Sequence, residues 1–254
     1  MYDLTRVADA GLGPALGRQL WTAGAVTAVF TVFARWLRGV SVSGAIAGAA
    51  VCFVLYASAG PAAFAALVSV FALTWITTRL GYRRKQKLGT AQNREGRTAS
   101  QVLANLAVAA SCAALSTITQ RAVFLLAACA ALSEAAADTV SSELGQAGSE
   151  KVRLITTWEE VSAGTDGGVS WAGTFAGLAA AALVSLVCVL AGLLPLRWFA
   201  GSIIGAVSGM VADSYLGASL ERREVLDNNW VNFLGTLVAA GVATLLAIYV
   251  HQRP

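Results

Sequence analysis

Runs of roughly twenty mainly apolar residues, separated by short polar stretches, follow one another along most of this 254-residue chain. A membrane-spanning helix needs about 20 such residues. The pattern predicts spans over 20–36, 40–58, 61–79, 102–118, 121–139, 173–194, 198–217 and 229–250. The first is short and interrupted by polar residues, so the count is seven or eight. The expected fold is all-α, a single polytopic membrane helix bundle over 1–254. The leading stretch, MYDLTRVADAGLG, is polar and lacks the cationic lead into an apolar core that marks a cleavable signal.

Composition agrees with the pattern. Hydrophobic residues make up 57% of the chain and charged residues only 13%, where soluble domains carry about 25% charged residues. A net charge of +4 raises the question of a nucleic-acid partner, and the placement of the charge answers it. Seven basic residues gather in RLGYRRKQKLGTAQNREGR (79–97), whereas the turns at 59–60, 119–121 and 195–197 hold at most one each. That asymmetry follows the positive-inside rule and puts the loop near 80–101 in the cytoplasm. Alternation then places the loops near 140–172 and 218–228 there too, in an inner or plasma membrane, with both termini outside if the spans number eight. No nucleic acid is implied. Cys52, Cys112, Cys129 and Cys188 all fall inside spans with no CxxC pairing, which suits small core residues rather than disulfides or zinc. His251 is expected at the surface without a chemical role.

Internal similarity points to repeated hairpins. GVSVSGAIAGAA (39–50) lies over GVSWAGTFAGLA (168–179) without a gap, and GRTASQVLANLA (96–107) fits the same frame more loosely. ALSEAAADT (131–139) matches AVSGMVADS (206–214), pairing Asp138 with Asp213. The unit recurs around 39–81, 96–145 and 168–217. Each copy starts from the same side, so the repeats are parallel, and their Gly and Ala allow close helix packing.

Acids then stand out against hydrocarbon. Glu134 and Asp138 are four residues apart and share a helix face. Ionisable groups at membrane depth are costly and by default mark a functional site. With Asp213 at the equivalent depth and Glu143 nearby, these oxygens suit Mg²⁺, which takes one or two carboxylates with waters and substrate phosphates. The helices expected after EGRTASQ (95–101) and SAGTDGGVS (162–170) begin on the same side, where helix N-termini and glycines favour phosphate. Arg97, Lys151 and Arg153 are available for the remaining phosphate charge. TTWEE (156–160) has capping-box spacing, Thr157 to Glu160, and predicts a short helix leading into the glycine turn.

GRTASQVLAN, ADTVSSELG, GTDGGVSWAGT, DSYLGAS and NNWVNFLGT together resemble, in order, the motifs of the integral-membrane family of plant phytyl-phosphate kinase and vertebrate transmembrane protein 19. The resemblance runs from about Arg35 to the C-terminus. Its motif positions here are Gly96, Arg97, Gln101 and Asn105, then Asp138, Thr139, Ser142 and Glu143. Gly164, Thr165, Gly167, Gly168 and Ser170 follow, and last come Asp213, Ser214, Asn228, Asn229 and Asn232. Asp166 stands where the family pattern leads one to expect alanine or glycine; it is a further metal ligand or a solvated acid.

The resemblance implies a kinase that moves phosphate from CTP to an isoprenyl, phytyl-type lipid monophosphate, giving the diphosphate. Asp138, Asp213, Glu134 and Glu143 are then the expected metal ligands, with Glu143 also a candidate base. Arg97 and Lys151 would contact phosphate, and Asn105, Asn229 and Asn232 the nucleotide or acceptor head group. Membrane lipids surround the whole. Two alternatives stay open. A transporter would need a polar path onward through the outer halves of the helices, which carry no charge. A CTP-dependent lipid-phosphate cytidylyltransferase would use the same ligands and release pyrophosphate.

Overall fold

The computed structural model describes residues 14–148 and 151–251; the leading MYDLTRVADAGLG stretch and the side chain of His251 lie outside what is described. Eight α-helices account for most of it: α1 (Pro14–Trp36), α2 (Val42–Arg79), α3 (Tyr82–Leu88), α4 (Ala99–Thr119), α5 (Val123–Ala147), α6 (Trp171–Leu190), α7 (Phe199–Ser219) and α8 (Asn228–His251). Among the described residues, α2 and α4 through α8 are long and apolar enough to cross a membrane; α1 is not among them. The protein is a polytopic helical bundle.

Helix α2 runs for 38 residues, about 57 Å at 1.5 Å per residue, nearly twice a hydrocarbon core of about 30 Å. It therefore has to turn. Ala59 and Gly60 leave helical geometry just before Pro61, and Gly60 takes a φ of 66°, a conformation glycine adopts without steric cost. The second arm returns beside the first: Trp75 Nε1 and an Arg79 guanidinium nitrogen both donate to the Leu37 carbonyl, at 3.1 and 2.7 Å. The expected spans 40–58 and 61–79 are the two arms of this hairpin.

Helix α5 is the axis of the bundle. It packs against α2, α4, α6, α7 and α8, and every residue from Leu126 to Ala137 is buried. Alanine makes this possible, because small side chains let five neighbours approach one backbone. Ser133, Ser185 and Ser202, all fully buried, form a hydroxyl chain at 3.0 and 2.9 Å that ties α5, α6 and α7 together. Outward-facing residues such as Ile118, Phe175 and Leu190 are exposed, as a lipid-facing surface requires. Exposed Trp36, Trp171 and Trp230 sit at helix ends on one side of the bundle, where indoles favour the membrane interface.

The repeated sequences fold alike at their starts. Ser41 and Ser170 are the N-caps of α2 and α6, and each hydroxyl accepts from the glycine N–H three residues on, Gly44 or Gly173, at 3.1 Å. Thr98 and Gln101 form a reciprocal capping box at α4, and Asp227 caps α8 through the Trp230 N–H at 2.9 Å. These caps satisfy N–H groups that a helix start otherwise leaves open.

Two elements depart from the sequence expectation. Residues 152–169 hold a small antiparallel sheet, β1 (Val152–Leu154), β2 (Glu160–Val161) and β3 (Gly168–Val169), with β1 in the middle. The short helix expected at TTWEE is not formed: Trp158 takes a φ of 61° and Glu160 pairs with Arg153 across the sheet. The basic loop also contains α3, whose packing matters below.

A tight contact joins the first two repeats. Ser41 N–H donates to the Arg97 carbonyl at 2.9 Å, and Arg97 N–H to the Gly39 carbonyl at 3.1 Å. A Cβ on Gly44 would lie 2.0 Å from the Arg97 carbonyl oxygen, whereas one on Gly48 would meet nothing within 4 Å. Gly44→Ala is therefore expected to cost about 3 kcal/mol through overpacking against backbone, while Gly48→Ala leaves stability unchanged or slightly raised. Thermal unfolding of the two variants in detergent checks this; equal melting temperatures would remove the contact as a determinant.

Candidate functional site

The motif residues gather at one end of the bundle, where α5 and α7 finish and α4, α6 and α8 start. Asp138 of α5 and Asp213 of α7 come within hydrogen-bonding reach of each other. Two helices from different repeats thus aim a carboxylate at one place. Glu134 sits a turn deeper and is only 1% exposed. Its side chain fits between α7 and α8 because Gly209 and Gly235 make room: a Cβ on either would fall 2.7 Å from it. Glu134 Oε1 and Asp213 Oδ2 are buried without a hydrogen-bond partner. Unpaired buried acceptors are costly and call for an explanation such as a cation.

Arg97 stands beside the pair. Its guanidinium donates to Thr139 Oγ1 at 3.2 Å. Burial pulls its pKa below the usual arginine range, and the Glu143 and Asp138 carboxylates oppose that shift. The guanidinium is held in place by backbone: Gly96, at φ 90°, passes so close to Gly39 and Val40 that a Cβ would lie 2.5 Å from the Val40 nitrogen. A side chain at Gly96 would push Arg97 away from the acids.

Glu143 has a partner that the sequence reading did not anticipate. Lys85 of α3 is fully buried and pairs with Glu143 Oε2. Its other ammonium protons go to the Thr77 and Thr78 carbonyls at 3.1 and 2.8 Å, so all three donors are used. Thr78 Oγ1 donates to Glu143 Oε1 at 2.9 Å. Both carboxylate oxygens are thus engaged by protein, and Glu143 anchors the end of α2 while its charge also acts on Arg97. Among the described residues, no three His, Cys, Asp or Glu side chains converge as a ready-made metal cage. Of the four expected carboxylates, Asp138 and Asp213 meet, Glu134 lies beneath them and Glu143 is paired with Lys85.

The other expected residues divide. Gln101 is spent on the α4 cap and on Gln92, while Asn105 and Asn232 are buried and donate to the carbonyls of Gln101 and Asn228 at 2.9 and 2.7 Å. Gly164, Thr165, Gly167 and Gly168 form a turn wedged between Thr90 and Ala218 at the end of α7. Thr165 Oγ1 donates to the Ser162 carbonyl at 2.8 Å, and Ser170 caps α6 beside Gly145. Ser142 and Asn228 are exposed, Asn229 is half-buried, and Ser214 donates to the Met210 carbonyl at 3.2 Å. Lys151 lies away on the sheet in an exposed pair with Glu160 at 3.6 Å, where it contributes little. Asp166 is exposed and faces Arg222.

Glu221 was missed. It lies near enough to interact with Asp138, Asp213 and Asn228. The signal was its position two helical turns beyond Asp213. Next to the site, a cavity of about 430 Å³ opens between α1, α2 and α4, with Arg97, Gln101 and Asn105 in its wall.

Comparison with known proteins adds relatives. The family described as "Integral membrane protein DUF92" matches residues 25–240. An uncharacterised membrane protein of Methanocaldococcus jannaschii is 34% identical over 71% of this chain and 74% of its own. Protein VTE6, chloroplastic, of Arabidopsis thaliana is 29% identical over 85% of this chain and 67% of its own. Protein PGR of the same plant is 31% identical over 44% of this chain and 51% of its own. No solved structure matches.

Proposed function

The chain belongs to the DUF92 integral membrane family, and from that premise we propose that it is a CTP-dependent kinase acting on an isoprenyl, phytyl-type monophosphate. The transfer takes place at the cytoplasmic membrane face. The observation that carries the reading is the meeting of Asp138 and Asp213, from two repeats, with Arg97 alongside. The likeness to Protein VTE6 over 85% of the chain and the motif resemblance to a family that includes phytyl-phosphate kinase support the same reaction.

In that reaction an acceptor phosphate oxygen attacks the γ-phosphorus of CTP, the bond to the β,γ-bridging oxygen breaks, and CDP leaves with the electron pair. Phosphoryl transfer asks a protein mainly for positioning and charge neutralisation. Asp138 and Asp213 would hold magnesium, which when bound supplies neutralising charge to the polyphosphate. The unpartnered Asp213 Oδ2 fits that task. Arg97 neutralises a phosphate oxygen, its guanidinium anchored by Thr139. The Lys85–Glu143 pair fixes the end of α2 beside it.

Purified protein incubated with Mg²⁺–CTP and a prenyl monophosphate, followed by mass spectrometry, tests this. The expected products are prenyl diphosphate and CDP in equal amounts. A cytidylylated lipid with pyrophosphate would replace the kinase by a cytidylyltransferase. Unchanged substrates with folded protein would overturn both.

A further inference from the structure

The cavity beside the acidic pair is two-natured. Its inner wall is apolar, formed by Phe30, Leu67, Val70, Phe71 and Leu106. Its other end is lined by Arg38, Arg79, Arg94 and Arg97. Along the second arm of α2 the lining runs from Leu67 to Arg79, about 18 Å at 1.5 Å per residue. The volume, about 430 Å³, lies within the range of small-molecule sites, roughly 300–1,000 Å³.

The charge at the mouth has no direct ion-pair partner, although Glu143 and Asp138 act on Arg97 from farther away. Among the described residues, none of these four arginines has a carboxylate within 4.0 Å. Arg79 is held over the Trp75 ring at 4.0 Å and by the Leu37 and Trp75 carbonyls. Arg38 and Arg94 make no side-chain hydrogen bond or ion pair to the described protein and are exposed. Four guanidinium groups over an apolar slot match one kind of ligand, an anion carrying a hydrocarbon tail, and the planar guanidinium fork suits phosphate oxygens.

We propose that this cavity binds a single-chain lipid by its terminal phosphate, with Arg38, Arg79 and Arg94 gripping the head group and Arg97 presenting it to the Asp138–Asp213 pair. The tail lies along Leu67, Phe71 and Leu106. Arg97 lines the cavity and also bonds Thr139 next to Asp138, so one guanidinium is shared between acceptor and donor. The identification of this lipid as the acceptor rests on the kinase reading; the binding site itself does not.

Binding is measured without nucleotide, by native mass spectrometry or thermophoresis in detergent, with geranylgeranyl monophosphate as the probe. The lipid phosphate is expected to bind at least about tenfold more tightly than geranylgeraniol or inorganic phosphate. Arg38→Ala and Arg94→Ala are each expected to weaken it about tenfold, the order of one charge-assisted contact. Their side chains are free of the fold, so thermal unfolding should not change. Gly48→Leu, at a cavity position with open space around it, is expected to weaken the lipid but not inorganic phosphate, whereas Arg197→Ala at the far end leaves both unchanged. Equal affinity for alcohol and phosphate, or wild-type affinity in both arginine variants, would overturn the site. Lipid binding with no transfer would remove the kinase reading alone; transfer with unaltered lipid affinity in the arginine variants would remove this site alone.

Discussion

Asp138→Asn is expected to lower phosphoryl transfer by at least about a hundredfold, the scale of losing one positioned electrostatic group, with insertion and melting temperature unchanged. Asparagine keeps the shape of the side chain and removes only its charge. An aspartate inside a membrane helix is itself unfavourable by roughly 2.5–3.5 kcal/mol, and here a second aspartate lies within hydrogen-bonding reach. Neutralising Asp138 relieves the repulsion between the two and gives up its attraction to Arg97, so the two effects on folding offset each other. Asp213→Asn should behave in the same way, because the pair acts as a unit across two repeats. Turnover with Mg²⁺–CTP and a prenyl monophosphate, compared with thermal unfolding in detergent, separates the outcomes. Near-normal turnover in either variant would take that aspartate out of the site.

Lys85→Met is expected to be strongly destabilising instead. It strands the Glu143 carboxylate and uncaps the Thr77 and Thr78 carbonyls at once. Breaking a buried ion pair by removing one partner costs about 3–5 kcal/mol. Glu143→Gln should fall in the same range, and the double variant Lys85→Met/Glu143→Leu should recover part of the loss, because no buried charge then remains. The check is a double-mutant cycle on chemical or thermal unfolding. If Glu143→Gln kept full stability while losing transfer, the ion pair would not be the role of Glu143.

Much of this molecule was legible in its pattern of residues. Hydropathy marks the bundle helices, and Ala59-Gly60-Pro61 marks the break in α2. The ungapped match of 39–50 with 168–179 paired Ser41 with Ser170, and the two residues cap their helices in the same way. The ADT and ADS matches brought Asp138 and Asp213 together before any coordinates did. All of these are local signals or signals of internal symmetry.

What escaped depends on distant partners. Lys85 is one of seven basic residues in a run that reads as a topology marker, and only Glu143, 58 positions away, makes it a buried anchor. Glu143 in turn could be read from the sequence as a candidate ligand, but its pairing with Lys85 could not. At TTWEE the capping-box spacing lost to strand pairing between Arg153 and Glu160, in strands too short to show alternation. Arg38, Arg79 and Arg94 lie on different elements, so no spacing could have shown that they share one cavity mouth.

The decisive measurement is a structure of the protein with Mn²⁺ and a non-hydrolysable CTP analogue, read by the anomalous signal of the metal. One peak is expected between Asp138 and Asp213, at about 2.1 Å from carboxylate and phosphate oxygens, and lost in Asp138→Asn. Nucleotide bound elsewhere, or a metal peak held by neither aspartate, would contradict the assignment of this pair as the centre of transfer.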